Sequence, residues 1–133
     1  MSQLQCIVVT PESTVCDLRA EFVVLPLYDG ELGVAPKHSP LIGRLGYGEL
    51  RIDSGGQRHR FYVDGGFVQI ADDLVTVLTH RAVAATALEI DVLREQLSVA
   101  QSKQAHSPEL IDQRERHVDQ LRAQLRLAKR AAG

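Results

Sequence analysis

The sequence has no tryptophan, a single methionine, two cysteines and only 5% aromatic residues. Two cysteines cannot staple a small disulfide scaffold, so any fold must be held by an apolar core. No stretch approaches the roughly 20 consecutive apolar residues of a membrane-spanning helix. Charge of one sign is missing too: 15 Lys and Arg stand against 17 Asp and Glu, a net −2 at pH 7. That balance gives no electrostatic footprint for nucleic acid or an anionic lipid surface. The start, Met1-Ser2-Gln3-Leu4, lacks the basic-then-apolar pattern of a signal peptide and the Arg- and Ser-rich pattern of a transit peptide. A cytosolic or peripheral protein is therefore expected. Catalytic signatures are absent as well. His38, His59, His80, His106 and His117 have no metal-ligand spacing, and neither HExxH nor CxxC occurs. Gly55-Gly56 and Gly65-Gly66 read as hairpin turns rather than a phosphate cradle. No catalytic residue and no metal ligand is assigned, which favours a subunit or binding module over an enzyme.

What is present is unevenly distributed. The chain has 133 residues, 44% of them hydrophobic, enough for one domain plus an appendage. Nine of the ten glycines, all six Phe and Tyr and four of the five prolines occur by residue 67. Residues 1–86 carry 7 basic and 10 acidic side chains, and residues 87–133 carry 8 and 7. The second part is therefore not a charged tail. It is a different structural type, rich in Ala, Leu, Gln and Arg.

The first part reads as β. Residues 3–9 are apolar and β-branched and end at Thr10-Pro11. Phe22-Val23-Val24-Leu25 reads as a buried strand stopped by Pro26. Residues 46–53 alternate Tyr47, Glu49 and Arg51 against Gly48, Leu50 and Ile52, and Ser54-Gly55-Gly56 supplies a tight reversal. Residues 58–63, 67–71 and 74–79, with turns at Asp64-Gly65-Gly66 and Asp72-Asp73, complete a meander. Such spacing of strands and turns predicts a sandwich or barrel. Cys6 and Cys16 flank the Pro11 turn; they could approach across strands, but small core hydrophobes are the better reading.

The second part reads as two helices. Thr86 and Glu89 have capping-box spacing ahead of Leu88, Leu93, Leu97 and Ala100. Ser107-Pro108-Glu109 marks a restart, with an N-cap hydroxyl, Pro at the first helical position and a carboxylate in the first turn. Ile111, Val118, Leu121, Leu125 and Ala128 then form one apolar stripe. The expected architecture is α+β: an N-terminal antiparallel β-sandwich over 1–85 and a C-terminal antiparallel two-helix hairpin over 86–133.

Between the two halves of the β region lies Gly30-Glu31-Leu32-Gly33, followed by Pro36-Lys37-His38-Ser39-Pro40-Leu41 and later by Gly65-Gly66-Phe67. In that order, ahead of two helices, these elements resemble the signature of the epsilon subunit of F-type ATP synthase (bacterial and chloroplast type, the counterpart of mitochondrial delta). The match in order covers essentially all of the chain. The resemblance implies a non-catalytic rotor subunit at the foot of the central stalk. Its sandwich would bind the gamma subunit on one side and the membrane c-ring on the other. Its hairpin would act on the catalytic alpha and beta subunits, as a brake on ATP hydrolysis, with Arg126, Lys129 and Arg130 meeting an acidic segment. No nucleic acid is expected, and contact with the membrane only through the rotor. The implied place is the cytoplasmic face of the bacterial inner membrane, or the thylakoid for a plastid-encoded chain.

The resemblance also names candidate sites. Glu31 and His38 would lie near the polar loops of the c-ring. Ile90-Asp91-Val92-Leu93-Arg94 resembles the Ile/Leu-Asp-x-x-Arg-Ala element that contributes to ATP binding in some bacterial members, and Arg122 and Arg126 match the Arg-Ala-x-x-Arg spacing of their second helix. No cofactor is required, and ATP would be a regulatory ligand held by Ile90, Asp91, Arg94, Arg122 and Arg126. The sequence departs from that pattern at Glu95, where the family has Ala, and at Ala85, where some nucleotide-binding members have Glu. A carboxylate at 95 opposes a triphosphate. The competing reading is a solvated helix face with Asp91–Arg94 and Asp119–Arg122 pairs worth about tenths of a kcal/mol. From other classes, the rivals are a free-standing adaptor outside any ATP synthase and a small-molecule sensor with a ligand pocket in the β-domain.

Overall fold

The computed structural model describes residues 3–132. The chain divides into two compact units, 1–84 and 85–133. Unit one is built from ten strands: β1 (Leu4–Val9), β2 (Thr14–Ala20), β3 (Phe22–Leu27), β4 (Gly30–Val34), β5 (Leu41–Arg44), β6 (Tyr47–Ser54), β7 (Gln57–Asp64), β8 (Phe67–Ala71), β9 (Leu74–Leu78) and β10 (Ala82–Ala84). They form two five-stranded sheets, ordered β2-β1-β9-β8-β5 and β10-β7-β6-β3-β4. All pairings are antiparallel except β1 with β9, which is parallel.

Alternation builds the core. Leu4, Cys6 and Val8 of β1, Val68 and Ile70 of β8, and Val75 and Val77 of β9 are buried with Val23 and Leu25 of β3 and Leu50 and Ile52 of β6. A period of two puts every other side chain into the space between the sheets, where burial stabilises by about 25 cal/mol per Å2 of apolar surface. Cys6 pairs with Leu18 and Val8 with Cys16, so both thiols face inward one rung apart, and both are free. Burial, then the neighbouring Cys16 and Asp17, pushes the Cys6 thiol up to about 12. Burial and Asp17 raise Cys16 as well. These are core thiols, not reactive ones.

Turn chemistry sets the register. Gly55 and Gly56 have φ +58° and +81°, as the β6–β7 reversal requires, and the Glu21 carboxylate accepts from the Gly55 N–H. Asp72 and Asp73 adopt φ +52° and +61° between β8 and β9. Gly66 is fixed by space as much as by φ: a Cβ there would lie 1.9 Å from the Leu78 carbonyl oxygen.

The strands depart from expectation in two ways. Pro26 does not stop its strand: β3 continues to Leu27, with Pro26 opposite Glu31. The β3–β6 ladder ends at Val24 opposite Arg51, so the missing proline N–H costs that ladder nothing. Strands β2, β4, β5 and β10 were not expected: the first three carry no long apolar run of their own, and β10 is only three residues long. All four are sheet edges, where one side of the strand stays unpaired and composition is freest.

Unit two begins with a short 3-10 turn, Ala85–Ala87, followed by α1 (Ile90–Ser102) and α2 (Pro108–Ala132). Leu93 and Ala100 of α1 pack with Val118, Leu121 and Ala128 of α2, and Leu88, Ile90, Leu97 and Leu125 add to that cluster. One cleft joins Ile90 to Ala128–Ala132 and another joins Ala100 to Leu110 and His117, so the two helices run antiparallel.

Ser107 caps α2 as expected, its hydroxyl accepting from the Leu110 N–H at 3.2 Å. The Thr86–Glu89 capping box does not form. Thr86 belongs to the 3-10 turn, and Glu89 is itself the α1 N-cap, without a side-chain cap bond. Ile111 is exposed, because the five-residue link 103–107 brings only Ala105 as an apolar side chain to cover it. An Arg114 guanidinium N–H donates to the Lys103 carbonyl at 3.0 Å and ties that link to α2.

Candidate functional site

Glu31 lies on the edge strand β4, opposite Pro26 and one step from the Tyr28-Asp29 turn, with its side chain in solvent. His38 lies in the loop beyond the other end of β4. Its Nδ1 donates to the Ser39 carbonyl at 2.7 Å, and its backbone N–H donates to Ala35 at 3.2 Å. About 10 Å of extended strand separates Glu31 from Val34, beyond which the loop bearing His38 begins. Glu31 is free to meet a partner, whereas His38 orders its own loop.

The five nucleotide-site candidates are also spread out. Ile90 opens α1 and Asp91 sits in its first turn. Both line a cleft of about 450 Å3 with Ala85, Thr86, Ala128 and Ala131. No arginine lines that cleft. Arg122 lines a different one, of about 380 Å3, with Gln101, Arg114 and Asp119. Arg94 and Arg126 are exposed. Among the described residues neither an Asp91–Arg94 nor an Asp119–Arg122 ion pair forms. In this arrangement Asp91 can accept a hydrogen bond at the small-residue cleft, and the arginines remain solvated cations.

A feature missed by motif reading is the outward face of the β2-β1-β9-β8-β5 sheet. Register places Val9 beside Leu78, Leu78 beside Phe67, and Phe67 beside Arg44. This rung crosses four strands, about 14 Å at about 4.8 Å per strand spacing. Leu78 is 51% exposed, Phe67 58% and, one rung over, Ile42 74%. Beyond the rung, the Arg44 guanidinium carbon sits 4.4 Å from the centroid of the Tyr28 ring. The sequence did carry a signal, namely apolar residues at outward positions of strands whose inward positions were already apolar.

The β6–β7 face is polar instead. Asp53 lies 3.6 Å from Arg51 and 3.5 Å from Arg58, and Glu49 lies 3.5 Å from Arg60. Such partly exposed pairs contribute little stability. Among the described residues no group of His, Cys, Asp and Glu could hold a metal, and no helix is long and apolar enough to cross a membrane.

Residues 3–85 match the model of the ATP synthase delta/epsilon chain, beta-sandwich domain. The chain belongs to the ATP synthase delta/epsilon family. It is 44% identical over 126 residues to the ATP synthase epsilon chain of Rhodopirellula baltica, covering 95% of this chain and 98% of that one. Its identity to the epsilon chain of Alkalihalophilus pseudofirmus is 37% over 103 residues, 77% of each chain. The fold is similar to a chain in the Euglena gracilis mitochondrial ATP synthase structure that comprises OSCP, F1 and c-ring. There the TM-score is 0.84 at 20% identity, over 99% of this chain and 82% of that one. A chain in the Tetrahymena thermophila mitochondrial central stalk and c-ring structure gives a TM-score of 0.73 at 13% identity, over 94% and 96%. Within the matched residues, Gly-Glu-Leu-Gly opens the edge strand that bears Glu31, and Gly-Gly-Phe places Gly66 against the Leu78 carbonyl.

Proposed function

We propose that this chain is a non-catalytic central-stalk subunit of a proton-translocating ATP synthase. Its β-sandwich docks on the gamma subunit and presents Glu31, on edge strand β4 beside the Tyr28-Asp29 turn, to the c-ring. Its two helices act on the catalytic alpha and beta subunits and restrain ATP hydrolysis. The chain reaches the membrane only through the rotor, at the cytoplasmic face in a bacterium or at the thylakoid in a plastid.

The observation that carries docking is the exposed apolar rung of Leu78 and Phe67 with Ile42 beside it. Large side chains grouped on one outward face are what a protein partner covers. The test is binding of purified gamma subunit to the full chain and to a Phe67→Glu/Leu78→Glu variant. Loss of binding with an unchanged melting temperature is expected, and wild-type binding by the variant sinks the docking role. The regulatory role is read from ATP hydrolysis by the catalytic sector with the full chain or with a chain ending at Ala85. Higher activity with the short chain is expected, and equal activity removes the brake.

A second ligand is favoured by one observation, the small-residue cleft that holds Ile90 and Asp91. ATP binds there weakly, as a regulator, through Asp91. The arginines Arg94, Arg122 and Arg126 lie outside the cleft as it stands, so phosphate contacts need their side chains to swing. Calorimetry of the full chain with millimolar ATP checks this, and absence of heat ends it.

A further inference from the structure

We propose that Arg44, stacked on Tyr28 at the end of the apolar rung, selects the docking partner by pairing with one of its carboxylates; this rests on the docking role proposed for the same face. Two rungs define the surface. The first runs Val9, Leu78, Phe67, Arg44, and the second Ile7, Thr76, Gln69, Ile42. Across these eight outward positions of β1, β9, β8 and β5 Arg44 supplies the only charge, and Asp17 of edge strand β2 continues the second rung beside Ile7, at the opposite edge of the sheet. A partner that covers Phe67, Leu78 and Ile42 must therefore bury or pair that one cation.

The guanidinium is held ready for pairing. Its carbon lies 4.4 Å from the Tyr28 ring centroid, which engages the face of the group and leaves its N–H edge for a planar acceptor. The two residues sit at the ends of strands β3 and β5, which are bonded together there. The Tyr28 N–H donates to the Arg44 carbonyl at 2.8 Å, and the Gly46 N–H donates to the Pro26 carbonyl at 2.9 Å. Among the described residues Arg44 makes no ion pair, although Asp29 and Glu31 are carried by the same hairpin as Tyr28. The donors face outward without an internal acceptor.

The partner's chemistry follows. It presents an apolar ridge to Phe67, Leu78 and Ile42, flanked by an Asp or Glu that reaches Arg44 in two parallel hydrogen bonds. A partner with the ridge but no carboxylate would strand a desolvated cation, and that penalty rejects it. The apolar rung thus supplies attraction and Arg44 supplies discrimination.

The experiment measures binding of purified gamma subunit to the full chain at low and high salt, for wild type, Phe67→Glu, Arg44→Met, Arg44→Lys and Arg44→Glu. All four substitutions are at exposed positions, and unchanged melting temperatures verify folding. Arg44→Met keeps the stem and removes the charge. It should weaken binding about tenfold and flatten the salt dependence, with Arg44→Lys recovering only part of the loss. Arg44→Glu should weaken it further. Wild-type affinity and salt dependence in Arg44→Met, while Phe67→Glu fails to bind, overturn the inference and leave docking intact. A loss confined to Arg44→Glu overturns it too, because a new carboxylate disfavours any apolar contact. Wild-type binding by Phe67→Glu overturns docking and the inference together.

Discussion

The β-sandwich and the helical pair solve the same problem with different margins. In the sandwich, Cys6, Val8, Val23, Leu25, Leu50, Ile52, Val68 and Val77 lose all contact with water, and ladders bind each strand to its neighbours. In the helical pair, a single seam of Leu93, Ala100, Val118, Leu121 and Ala128 joins α1 to α2, and two of the five are alanines. Backbone hydrogen bonds inside a helix are made within the segment, so α1 and α2 depend on a neighbour for their apolar faces and not for their ladders. A strand depends on its neighbours for both. The difference teaches where opening costs least: the sandwich is held by ladders as well as by its core, and the helical pair by one small seam.

The largest expected effect tests the sandwich. Gly66→Ala forces a Cβ against the Leu78 carbonyl at a φ of +104°, and should cost the sandwich about 4 kcal/mol. Thermal melting checks it, and a loss below about 1 kcal/mol would mean that the β8–β9 corner yields as readily as the helices do. Next, Leu121→Ala empties part of the helical seam and should cost about 3 kcal/mol there. Hydrogen exchange should show lost protection in α1 and α2 with the sandwich strands unchanged. Loss of protection in both would erase the contrast and make the chain one cooperative unit.

A smaller effect comes from pH. The Cys6 thiol is raised from 9.0 to about 12 by burial, so the folded state holds its proton where the unfolded chain has released it. Stability from this group is complete below about pH 9 and is lost as pH rises toward 12, by about 1 kcal/mol at pH 10. Cys6→Val should flatten that decline in denaturant titrations between pH 8 and pH 10.5. An unchanged slope would mean that the core near β1 admits a thiolate. The smallest effect is at the α2 cap. Ser107→Ala removes the acceptor of the Leu110 N–H and should cost about 0.5 kcal/mol, read as faster exchange in the first turn of α2 alone. Exchange that stays at wild-type rates would show that the link 103–107 holds α2 without its cap.

The legible parts of the fold were those fixed by local rules. The β6–β9 meander could be read from alternation and from Gly55-Gly56, Gly65-Gly66 and Asp72-Asp73, because a turn that needs positive φ announces itself in composition. Ser107-Pro108 announced the start of α2 in the same way. Edge strands β2, β4 and β5 did not announce themselves, because an edge tolerates Asp17, Arg19, Glu31 and Arg44 facing solvent, and β10, Ala82–Ala84, is too short to show a pattern. Pro26 misled for a related reason: whether a strand accepts proline depends on which side still has a neighbour. Of the candidate residues, Glu31 is exposed beside a turn as its motif suggested, whereas His38 is held beyond the other end of β4. Asp91 and the three arginines Arg94, Arg122 and Arg126 share no cleft, because i,i+4 spacing puts residues on one face of a helix without fixing which face of the neighbouring helix they meet.

By itself the sequence determined the α+β class, the order of sandwich and helices, the family, and the turns, since each follows from periodicity or from residues that only one backbone shape accepts. Tertiary structure alone decided that Val9, Leu78, Phe67 and Arg44 share a rung, that Tyr28 lies against Arg44, and that Cys6 and Cys16 face one core. Those neighbours lie up to about 70 positions apart in the chain, and only strand register brings them within reach of one another.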